Sequence, residues 1–74
     1  MNAEAIRELL QVRPFEPLDV VLSSGQVIAI THPENVIVLE NTLVVADPER
    51  DIVKCPSLIH ITSVRKRDSS LPPG

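Results

Sequence analysis

His32 and Glu34 come nearest to a chemical site in this sequence. They stand in the stretch AITHPENVIV, residues 29–38, where His32, Pro33, Glu34 and Asn35 interrupt an apolar run. On an extended strand, alternate residues share a face. Such a pair suits two metal ligands, or a base with the carboxylate that orients it. A metal would need a third ligand; His60 is the only other histidine, and the spacing matches no zinc motif. Pro33 and Asn35 supply the competing account. Proline removes a donor and fixes φ, and asparagine tolerates turn conformations. The stronger reading is therefore a structural corner whose bend is fixed by His32 and Glu34.

The remaining candidates are weighed in the same way. Asp47, Glu49 and Asp51 alternate in DPERD and suggest calcium, but the glycine and the downstream glutamate of an EF-hand-type loop are missing. A solvated loop with Arg50 as partial counter-charge is expected. Cys55 is the one thiol, set in an apolar strand. Its neighbour Lys54 points to the opposite face, so a buried, inert cysteine is expected rather than a nucleophile. His60, in LIHITSV, is read as a half-buried strand residue. Arg65, Lys66 and Arg67 are candidates for phosphate or acidic-partner contacts. No aromatic residue interleaves them, so a solubilising strand end is the stronger expectation. Gly25 and Gly74 are the only glycines, which leaves no phosphate-binding loop.

The elements that must position these residues are constrained by size. A chain of 74 residues makes one domain at most. Small domains bury little of their unfolded surface, and disulfides, metals or self-association usually reinforce them. One cysteine rules out an internal disulfide, and a lone thiol fits a reducing compartment. No segment of signal-peptide type opens the sequence, and no apolar stretch approaches a membrane span. The expectation is a soluble cytoplasmic protein without a membrane partner. Phe15 is the only aromatic, so the core must be built from Val, Ile and Leu. The formal net charge is −3. An acidic chain without stacking platforms disfavours nucleic acid.

Helical spacing of Ala5, Ile6, Leu9 and Leu10 predicts a helix over Ala3 to Val12. Asn2 is its expected N-cap, and Pro14 its stop. RPFEP follows as a stiff linker, with Phe15 plugging the core edge. LDVVLSS and QVIAITH flank Gly25 as a hairpin, with Ser23, Ser24 and Gly25 in the turn. NVIVLE and TLVVAD flank a turn at Asn41; DIVKC and LIHITSVRK complete the strands. The domain is placed at 1–65 and a disordered tail at 66–74. Short strands without crossover helices pair antiparallel. The predicted fold is mainly β: a small Sm-like or SH3-like antiparallel barrel of five to six strands, with the helix at one open end.

The strands carry apolar residues on both faces. Ile37 and Leu39 oppose Val36 and Val38, and Val44 and Ala46 oppose Leu43 and Val45. One short helix cannot cover that much second-face surface, and exposed apolar patches mark interfaces. Homo-oligomerisation follows as an expectation.

LLQVRPFEPLDVVLSSGQVIAITHPE, with LVVADPE and LIHITSV, resembles a family of short uncharacterised bacterial proteins. Their pattern is a helix, Pro-Phe-x-Pro, a Ser/Asp-Gly turn, His-Pro-Glu and Leu-x-His-Ile. That family implies no activity. The order of elements also resembles the Sm-like proteins, which form rings through strand edges. HITSV is similar to the final-strand motif of the bacterial Sm-like RNA chaperone. The aromatic and basic residues with which those proteins hold RNA have no clear counterparts here. Taken together, the expectation is a non-enzymatic, self-associating interaction module with no cofactor. The alternatives are an RNA-binding ring using Arg65, Lys66 and Arg67, and a metal protein or enzyme using His32, Glu34 and His60.

Overall fold

The computed structural model describes residues 2–67. The N-terminal helix α1, Ala3–Leu10, begins at Asn2, whose side chain accepts from the Glu4 N–H at 2.8 Å. It stops two residues short of Val12. The Gln11 N–H bonds the Glu8 carbonyl, and the Arg13 guanidinium donates to the Leu10 and Val12 carbonyls at 2.8 and 2.9 Å. Those bonds satisfy carbonyls that a helix end leaves free. Ile6 is fully buried, with Ala3, Leu9 and Leu10 packed around it. Ala5, expected on the buried face, is exposed; Ala3 takes its place three residues before Ile6.

Six strands follow: β1 Leu18–Leu22, β2 Val27–Ile30, β3 Val36–Val38, β4 Leu43–Asp47, β5 Ile52–Lys54 and β6 Ile61–Lys66. They form two three-stranded antiparallel sheets, ordered β2-β1-β6 (sheet A) and β3-β4-β5 (sheet B). The fold is mainly β, as the patterning predicts, but the strands do not close into a barrel ladder. Closure would need β2 and β3 to run as one bent strand and β5 to pair with β6. Pro33–Asn35 instead form a 3-10 turn between β2 and β3, with Pro33 unable to donate.

The β1–β2 turn is built as its residues require. Leu22 accepts from the Gly25 N–H and donates to the Gln26 carbonyl, both at 2.9 Å, and Gly25 sits at φ 92°. Glycine meets that left-handed position without a Cβ clash. LIHITSVRK is not one strand. Leu58–His60 form a second 3-10 turn, which buries Leu58 and leaves Ile59 81% exposed. β6 then runs to Lys66, and the Arg67 N–H bonds the Pro17 carbonyl at 2.7 Å, past the boundary expected at residue 65. The rest of the expected tail, 68–74, lies outside the described residues.

The inner faces of the sheets and α1 enclose one core. Its buried members include Leu18, Val20, Ile28, Ile30, Leu43, Val45 and Ile61, all aliphatic, with Phe15 packed at its margin. No helix among the described residues is long and apolar enough to cross a membrane.

Candidate interaction surface

His32 and Glu34 approach each other, with Nδ1 3.9 Å from Oε1, at a corner rather than on a strand. The 3-10 turn begins directly after His32, and the Asn35 N–H closes it on the His32 carbonyl at 3.1 Å. Both side chains are about two-thirds exposed (68% and 70%). An exposed pair at that distance is a weak contact. His60 sits at the other end of sheet A, where its carbonyl accepts from the Ser23 N–H of the β1–β2 turn. Roughly 10 Å of strand separates the two ends of the four-residue β2. Among the described residues, no group of three or more His, Cys, Asp or Glu side chains is placed to hold a metal.

The basic run is divided. Lys66 Nζ lies 2.7 Å from Glu16 Oε2, and Arg67 Nη1 lies 3.6 Å from Asp19 Oδ1. Arg65 stands opposite Asp19 in the β1–β6 register. Alternation sends Lys66 to the opposite face from Arg65. The three cations therefore form no single positive surface, and two of them are already matched by carboxylates. The 3.6 Å contact is an ion pair rather than a hydrogen bond, since that distance exceeds hydrogen-bond range. Asp19 Oδ1 accordingly has no hydrogen-bond partner although it is buried.

In DPERD, Arg50 turns back on Asp47: its N–H meets Oδ1 at 3.4 Å and its Nε lies 3.7 Å from Oδ2. Asp51 adopts φ 57°, a left-handed position that aspartate tolerates. These contacts describe a loop closed by its own side chains.

Cys55 is exposed, not buried. Sheet B continues past β5, because the Leu43 N–H bonds the Pro56 carbonyl at 2.9 Å. The register that pairs Val45 with Lys54 then sets Cys55 opposite Val44 on the outer face. This placement draws attention to the face as a whole. Ile37 pairs with Val44 and Ala46 with Val53, and the Leu39 N–H bonds the Thr42 carbonyl, which extends the hairpin. Ile37 and Val53 are each 59% exposed and Leu39 48% exposed. From Leu39 across Val44 to Val53 and Cys55, this face carries no charged residue among the described residues. Sequence patterning flagged these apolar second faces, but not which sheet would leave one uncovered. No family model, curated protein or solved structure matches the chain.

Proposed function

We propose that this protein is a non-enzymatic, self-associating interaction module of Sm-like or SH3-like type, related to short bacterial proteins of similar sequence pattern. The observation that carries this reading is the charge-free outer face of sheet B, with Ile37, Leu39 and Val53 about half exposed or more. Removing that apolar surface from water favours association at ~25 cal/mol per Å². A small domain gains reinforcement from it that its own core supplies only in part. A second copy presents the same surface, and most soluble oligomers are built by such symmetric contacts.

Multi-angle light scattering on the full chain tests the reading. A mass above that of one chain at micromolar concentration is expected, falling to one chain in an Ile37→Lys, Val53→Lys variant. A monomer mass for the unaltered protein would sink the proposal.

A further inference from the structure

β2 has an open edge. The Leu22 N–H bond to Gln26 fixes that pair as hydrogen-bonded, so Val20–Ile28 and Leu18–Ile30 are hydrogen-bonded in turn. The N–H and C=O groups of Val27, Ala29 and Thr31 then point away from β1. None of them has a hydrogen-bond partner among the described residues. The other edges are blunted in ways that discourage pairing. Arg7 Nη2 donates to the Val38 carbonyl on β3 at 3.3 Å. β6 carries Arg65 and Lys66, and its register with β1 shifts at Val21/Leu22. β5 is only three residues long. β2 reads VIAI, with no charge, proline or register shift.

The open edge borders a cavity of about 630 Å³ whose wall from sheet B includes Val45, Asp47 and Lys54. Lys54 pairs with buried Val45, is itself half-buried, and makes no ion pair among the described residues. Asp47 is held by Arg50, and the exposed carboxylates Glu34 and Glu49 lie where water screens them. Among the described residues, Lys54 is therefore the half-buried cation of the lining that no carboxylate holds.

We infer that this groove accepts one extended peptide strand from a partner protein, hydrogen-bonded along β2 and bearing an acidic side chain that meets Lys54. Strand addition of this kind draws affinity from the main chain and specificity from alternate side chains. Val45, Asp47 and Lys54 of sheet B wall the far side of the groove, which favours a lone strand over a second sheet as the occupant. This surface is separate from the outer face of sheet B, and neither inference depends on the other.

The test is a titration of the ¹⁵N-labelled full chain with the pentapeptide acetyl-Thr-Val-Glu-Val-Thr-amide, followed by amide chemical shifts. The largest shifts are expected at Val27, Ala29 and Thr31. The same peptide with lysine in place of glutamate should bind about tenfold more weakly, and Lys54→Glu should reverse that preference. Ala29→Pro should abolish binding of both peptides while circular dichroism stays unchanged, because its N–H lies outside the β1 ladder. Three results would overturn the inference: no shift at those amides with millimolar peptide, equal binding of the two peptides, or movement of the same amides with protein concentration alone, which would assign the edge to a second copy.

Discussion

The outer faces of the two sheets are built on the same plan and finished in opposite ways. Sheet A turns Asp19 and Val21 outward on its central strand, with Arg65 and Ser63 opposite them on β6. Arg67 reaches the same carboxylate. Sheet B turns Val44 and Ala46 outward, flanked by Ile37 on one side and Val53 and Cys55 on the other. Both have three antiparallel strands and both contribute to one core. What differs is the residue at the outward half of each alternation. Sheet A spends those positions partly on charges that water solvates, and sheet B on side chains that water does not. The fold needs only the inward half, so the outward half of sheet B is the part of the sequence that calls for a role beyond folding.

That comparison can be broken most forcefully through the core the sheets share. Ile6→Ala removes a fully buried side chain and should cost about 2–5 kcal/mol in denaturant unfolding. Loss of both sheets in one transition is expected, and separate transitions would show that they do not share a core. A smaller loss is expected where α1 is anchored: Asn2→Ala removes the cap on the Glu4 N–H and should cost about 1 kcal/mol by the same measurement. The comparison is sharpened by charge placed on either face. Ile37→Lys with Val53→Lys should change monomer stability by no more than about 0.5 kcal/mol per site while reducing the scattering mass to one chain. Arg65→Ala on sheet A should leave that mass unchanged. A small effect is likewise expected for Asp19→Asn, which weakens a partly exposed ion pair at 3.6 Å and should lower the unfolding free energy by less than about 0.5 kcal/mol. A larger loss would give the polar face of sheet A a structural weight that its geometry does not suggest.

Much of the scaffold was legible because its signals are local. Asn2 caps, Gly25 supplies a left-handed turn, and Pro33 with Asn35 breaks the chain, each for reasons contained within a few residues. The turn at Leu58–His60 was not legible, since Leu, Ile and His are acceptable strand residues and nothing local interrupts them. It is set by distant partners: Leu58 goes into the core, and the His60 carbonyl takes the Ser23 N–H. Cys55 was misplaced for a related reason. Where both halves of an alternation are apolar, periodicity cannot say which half faces in; strand pairing decides. His32 and Glu34 do meet, though through a turn and not through the extended spacing that suggested it. The open edge of β2 was invisible for the most general reason, because an unpaired edge is a property of the assembled sheets.

Cys55 lies on the surface in question, and its alkylation by a small maleimide at rising protein concentration reads that surface most directly. If the outer face of sheet B joins copies, the rate constant should fall as concentration rises, and the dependence should vanish in the Ile37→Lys, Val53→Lys variant. A rate independent of concentration, in a range where light scattering reports an oligomer, would place the association elsewhere and contradict the account.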